Sequence, residues 1–196
     1  VVEVDGNAVN ATDNGDGTWS IDASQTTTYN EDATYDVTAD VEVTDNDGDT
    51  AIDDASGSDD TPTVDIEVTS FDVDIDGNIT GGGTLTYSGG NAPLTLSSLV
   101  VEVDGSAVNA TDNGDGTWSI DSGQTTTYSE DTTYDVTADA EVTDNDGDTA
   151  SDDDSSSDAT PTVDIEITSF DVDVDGNISG GGTLTYSGGN APLTLS

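Results

Sequence analysis

The chain has 196 residues, 44 of them acidic and none of them Lys, Arg or His, for a formal charge of −44. No salt bridge between side chains can form, so a compact state must tolerate strong self-repulsion or recruit cations. Nucleic acid and anionic membranes are excluded as partners because both need basic patches, and without cysteine no disulfide holds the fold.

Only 31% of the residues are hydrophobic, a composition that alone would suggest disorder. The apolar residues alternate with polar ones, however, and that pattern predicts a folded β protein. No apolar run is long enough to span a membrane and no signal-peptide pattern is present, so no membrane insertion is expected in this segment. The sequence starts at Val1 rather than Met and reads as an excerpt of something longer.

In chain order, the first clear element is the hairpin turn DNGDG leading into Trp19 and Ile21. A long alternating strand follows, YDVTADVEVT, then the turn TDNDGDT at residues 44 to 50. The very polar stretch DDASGSDDTPT (53 to 63) reads as a linker. Next comes VDIEV, with Val64, Ile66 and Val68 inward, and then FDVDI, with Phe71, Val73 and Ile75 inward. The inward set moves from even to odd numbers, which predicts a bulge or a change of sheet near Thr69–Ser70. Leu85 and Tyr87 lie between glycine-rich turns, and Leu94, Leu96, Val101 and Val103 continue the apolar set. From there the elements recur. Trp19 returns as Trp118, and the same offset aligns residues 1 to 97 with 100 to 196, with roughly nine positions in ten identical.

A period near 100 residues is too long for a solenoid coil or a propeller blade and suits one small β-sandwich per repeat. The expected organisation is the C-terminal part of a repeat at 1–59, a complete repeat of about seven strands at 60–158, and the N-terminal part of the next at 159–196. Half a sandwich leaves its apolar face bare, so neighbouring copies are expected to supply the missing halves, in a continuing fibre or by strand exchange.

The run G-T-W-S (Gly116–Ser119), then Y-D-V-T-A (Tyr134–Ala138), then D-N-D-G-D-T-A (Asp144–Ala150) resembles the bacterial Ig-like tandem repeats of large cell-surface adhesins. Gly17–Ser20, Tyr35–Ala39 and Asp45–Ala51 carry the same match. The resemblance covers the second half of each repeat well and the first half loosely. It implies an all-β fold of tandem Ig-like antiparallel sandwiches, an extracellular or cell-surface location, and stalks stiffened by calcium at domain junctions. The complete lack of Lys and Arg departs from the family's usual pattern.

Several segments are candidate sites. FDVDIDGN (71 to 78) contains D-x-D-x-D-G, the opening of a calcium loop. On an extended strand its carboxylates lie about 6.6 Å apart, too far for three to share one ion. The strand reading is therefore preferred, with Asp76, and its equivalent Asp175, at the strand end and able to join a site made by other loops. The turns holding Asp45, Asp47 and Asp49, and Asp144, Asp146 and Asp148, are better calcium candidates, because the chain bends there. Interdomain calcium would cross-link beads that otherwise repel; the plain alternative is a solvated acidic turn. Sequons at Asn10, Asn78, Asn109 and Asn177 are possible glycan acceptors. No His, Cys or Lys offers a base or nucleophile and no carboxylate pair stands out, so no enzyme is expected.

The leading functional expectation is a structural filament or adhesin stalk contacting neighbouring copies of the same repeat. The alternatives are a fibre subunit completed by strand exchange and a carbohydrate-binding surface module.

Overall fold

The computed structural model describes residues 1–190 and 192–195. Among them the strands are β1 (Val2–Val4), β2 (Asn7–Val9), β3 (Ala11–Asp13), β4 (Trp19–Ile21), β5 (Thr34–Thr44), β6 (Thr50–Asp60), β7 (Pro62–Val73) and β8 (Ile79–Gly89). They continue with β9 (Thr95–Val103), β10 (Ser106–Val108), β11 (Ala110–Asp112), β12 (Thr117–Ile120), β13 (Thr133–Thr143), β14 (Thr149–Ala159), β15 (Thr162–Val172) and β16 (Ile178–Ser187). The fold is all-β and its pairings are antiparallel. No helix is long and apolar enough to cross a membrane among the described residues.

Between Pro62 and Ala159 the chain forms eight strands rather than about seven, in two four-stranded sheets ordered β11-β12-β8-β7 and β10-β9-β13-β14. The two strands expected at 64–68 and 71–75 are one strand, β7, while β14 and the short β10 are additional, β10 folding back on β9 through Asp104–Gly105. Both residues have positive φ, as a tight two-residue hairpin turn requires. The contacts divide the chain into two compact units: Val1–Val64 with Tyr87–Ser98 and Glu141–Ser151, and Asp65–Thr86 with Leu99–Ala140 and Asp152–Ser196.

The second unit holds the main core. Alternate residues of β13, from Tyr134 through Val136 and Ala138 to Ala140, are buried, together with Ile66, Leu85, Val101 and Trp118. Trp118 is 2% exposed, and its indole N–H donates to the Glu67 carbonyl at 3.1 Å. It pairs across β12–β8 with Gly83, where a Cβ would overlap the Glu67 carbonyl and crowd the indole nitrogen. The Tyr134 hydroxyl turns back on its own chain, accepting from Ser129 N–H at 2.7 Å and donating to the Thr127 carbonyl at 3.0 Å. Tyr35 repeats this with Asn30 and Thr28 in the first unit.

The opening strand of the complete repeat changes phase as its sequence implies. Val64 and Ile66 are buried, then Val73. In the equivalent β15–β16 pair the register slips between Ile167 and Ser169. Ile75, however, is not a core residue: it is 77% exposed. The strand stops at Val73 because Asp74 folds the chain. Its Oδ1 accepts the N–H groups of Asp76 and Asn78, both at 2.9 Å, and its own N–H reaches the Asn78 carbonyl at 3.1 Å. This is an Asx-type turn, local bonding that competes with the strand.

The polar stretches at 53–60 and 152–159, read from sequence as linkers, belong to the 11-residue strands β6 and β14. β14 alternates like any half-buried strand, but its inward positions after Ala150 are Asp152, Asp154, Ser156 and Asp158. These acids have partners. β7 is the edge of its sheet, so its outward N–H groups lack a ladder partner. Asp152 accepts from Ile66 N–H at 2.9 Å, Asp154 from Val68 N–H at 2.7 Å, and Asp158 from Val73 N–H at 3.0 Å. The donors move from even to odd numbers along β7, while the accepting carboxylates stay on the even positions of β14. The bond from Val68 holds the Asp154 carboxyl below its ordinary value. A strand with a polar buried face is thereby fixed, and an exposed edge is sealed.

Candidate metal centre

The turn between β13 and β14 is built by Asp144. Its Oδ1 accepts the N–H groups of Asp146 at 3.2 Å, Gly147 at 3.0 Å and Asp148 at 2.9 Å, while its own N–H donates to the Asp148 carbonyl at 2.9 Å. Its Oδ2 accepts from Asn91 N–H at 2.8 Å, and Asn145 N–H returns a bond to the Asn91 carbonyl at 2.9 Å. Asp144 is buried. The Asn91 N–H, followed by the turn's own donors, lowers its carboxyl to about 2.

Asn91, in the loop between β8 and β9, then reaches two more acids. Its Nδ2 donates to Asp146 Oδ2 at 2.8 Å and to Asp59 Oδ1 at 3.0 Å. Asp59 lies near the end of β6, in the preceding repeat. The Asp59, Asp146 and Asp148 carboxylate oxygens lie within 4.8 Å of one another. Two oxygens bound to one calcium at about 2.4 Å cannot lie further apart than about 4.8 Å, so the three can share an ion. A hydrogen bond with Asp144 raises Asp146 above its ordinary value. Burial raises Asp148, helped by the charges of Asp146, Asp144 and Asp59. Beside the cluster, the Tyr29 hydroxyl donates to the Thr149 carbonyl at 2.7 Å, and burial raises its pKa.

A second triad, Asp45, Asp47 and Asp49, meets the same geometric condition. Here Asp45 Oδ1 organises the turn, and its hydrogen bond with Asp47 lowers its carboxyl. These residues are exposed.

The turn residues expected from sequence are thus brought together, with one change of role: Asp144 is the scaffold of the second turn, and Asp59 takes its place in the cluster. Sequence reasoning missed both Asp59, which sat in a presumed linker, and Asn91. The repeat holds one further signal, since the equivalent Asn190 donates to Asp72 at 3.1 Å and to Asp158, the counterpart of Asp59, at 3.5 Å. Asp76 and Asp175 are exposed in their turns and join no triad among the described residues. All four sequon asparagines are exposed, but Asn78 and Asn177 spend Nδ2 on Asp74 and Asp173, both at 2.8 Å.

No family model, no curated protein and no solved structure matches the chain.

Proposed function

We propose that the chain is part of an extracellular or cell-surface filament or stalk of tandem Ig-like repeats, stiffened by calcium where one repeat meets the next. The observation that carries this reading is Asn91, which ties Asp59 of one repeat to Asp146 in the turn of the next. An ion among Asp59, Asp146 and Asp148 would replace repulsion at the junction with a bridge. With −44 charges and no basic side chain, the chain gains stability from any cation that binds only the folded form.

The Ig-like part of the reading rests on the two antiparallel four-stranded sheets, the buried Trp118 and the hydroxyl bonds of Tyr134. That tyrosine geometry is similar to the corner of Ig-type sandwiches, where a Tyr bonds back to the backbone upstream. Of the sequons, Asn10 and Asn109 are the better glycan acceptors in this proposal, because Asn78 and Asn177 donate their amide nitrogens to Asp74 and Asp173.

The test is calcium titration by calorimetry, with small-angle scattering in calcium and in chelator. Asp146→Asn with Asp148→Asn should abolish the strongest binding event and make the calcium-loaded chain scatter like the chelated one. Monovalent salt should not substitute, because it screens charge without bridging carboxylates. Equal scattering with and without calcium in the wild type would defeat the stiffening role.

A further inference from the structure

We propose that the Thr61 hydroxyl, with its counterpart Thr160, is the positioning group of the repeat junction: it fixes the direction in which one repeat follows another, without a cation. The proposal rests on the repeat-array reading but not on its calcium.

One residue makes the junction. β6 runs to Asp60 and β7 starts at Pro62, so Thr61 alone separates the last strand of one repeat from the first strand of the next. Proline fixes its own φ and holds the residue before it extended, so the chain crosses the boundary as a stiff strand. The β5–β6 ladder continues across it. Its last register pair is Thr34 with Asp60. Beyond that pair, Thr61 N–H donates to the Ala33 carbonyl at 2.8 Å, and Asp32 N–H donates to the Pro62 carbonyl at 3.1 Å. The first residue of β7 is thus bonded to the repeat before its own.

The side chain closes this extension. Thr61 Oγ1 accepts from Ala33 N–H at 2.9 Å and donates to the Asn30 carbonyl at 3.0 Å. Thr61 is 3% exposed, and a hydroxyl buried that deeply is costly unless bonded. Valine has the same shape; what threonine adds is the bonding that orders loop 30–33 against the boundary. Glycines pack the other side. A Cβ on Gly89 would lie 2.8 Å from the Thr61 carbonyl oxygen, and one on Gly90 would lie 3.3 Å from Pro62 Cβ and 2.9 Å from Asp144 Oδ2. Thr61 and Pro62 are therefore clamped between loop 30–33 of one repeat and loop 89–91 of the next, all within one compact unit.

The arrangement recurs. Thr160 is 4% exposed, accepts from Thr132 N–H at 2.9 Å and donates to the Thr132 carbonyl at 3.0 Å. A Cβ on Gly188 would lie 2.7 Å from the Thr160 carbonyl oxygen. Each bond of this latch joins uncharged groups, so it needs no cation and is insensitive to screening.

The chain has no cysteine, so Thr38→Cys with Thr137→Cys, outward positions on β5 and β13, takes a spin-label pair that spans the junction. Pulsed dipolar spectroscopy reads the distribution of distances, first in chelator. The labelled parent should give a narrow distribution. Thr61→Val, which keeps the shape and loses the bonds, should broaden it by about twofold. Thr61→Ser, which keeps the hydroxyl, should restore it. The Trp118 unfolding midpoint, read in a Trp19→Phe background, should be unchanged in both variants. Equal widths for the parent and Thr61→Val would overturn the proposal, as would Thr61→Ser being as broad as Thr61→Val. Broadening with a lower Trp118 midpoint would overturn it too, because Thr61 would then support the repeat itself rather than position its neighbour. Added calcium should narrow the Thr61→Val distribution; no narrowing would count against the cation at the junction alone and leave the latch standing.

Discussion

Replacing Asp158 by Ala asks whether the carboxylates of β14 seal the edge of β7. Asp158 and Val73 are both buried, and the bond between them is 3.0 Å. Removing the acceptor leaves the buried Val73 N–H without that partner, which costs about 1–3 kcal/mol. The change also removes one of 44 negative charges, which relieves repulsion and acts in the opposite direction. Asp153 separates the two effects. It lies on the same strand with its side chain on the exposed face, so Asp153→Ala removes equal charge and no such bond. Asp158→Ala should therefore be less stable than Asp153→Ala by about 1–3 kcal/mol. Asp158→Asn, which keeps an acceptor oxygen, should fall between them. The assay is urea unfolding in moderate salt, followed by Trp118 fluorescence in a Trp19→Phe background. Equal midpoints and slopes for Asp158→Ala and Asp153→Ala would refute the edge-sealing argument.

Trp118→Ala should cost about 3–5 kcal/mol, read by the same unfolding assay, because it empties the centre of the core and frees the Glu67 carbonyl. For pH, the signs at the junction oppose one another. Asp144 is depressed to about 2, so its stabilisation is present above the ordinary carboxylate value and is lost as pH falls toward 2. Asp146 and Asp148 are raised, so they destabilise the folded form at neutral pH, and this penalty disappears as falling pH protonates them. Carboxyl-carbon NMR should show Asp144 titrating last, with Asp146 and Asp148 above the ordinary range. Calcium should bring those two down, and unchanged titration in saturating calcium would remove them as ligands.

Much of the fold was legible because apolar residues mark it. Tyr134 to Val142 alternates without a fault, Trp118 is buried, and the even-to-odd shift after Val68 does coincide with a bulge in the equivalent hairpin. Ile75 misled because alternation alone cannot show that Asp74 will bond forward to Asn78 and end the strand. The larger miss was β14 and its counterpart β6. Hydrophobic periodicity detects a strand by its apolar face, and the buried face of β14 carries aspartates. Those acids are tolerated because an edge strand 85 or 86 residues earlier in the chain presents unpaired N–H groups to them. Nothing local in the sequence announces that match. The same gap hid Asp59, whose partner Asn91 lies 32 residues later.

Near-identity between the copies conceals a difference that the structure makes meaningful. Where the complete repeat has Asp154 and Ser156 on the inward face of β14, the first copy has Ala55 and Gly57 on β6. By identity these are two mild changes in a polar stretch. In the structure, Asp154 is the acceptor of the Val68 N–H, and Ala55 offers no side-chain acceptor at the matching position. Asp53 and Asp59, the counterparts of Asp152 and Asp158, are kept. A sandwich closed on β6 would therefore have its edge held at both ends but not at the middle. Beads that look identical in sequence would then differ in how firmly they close.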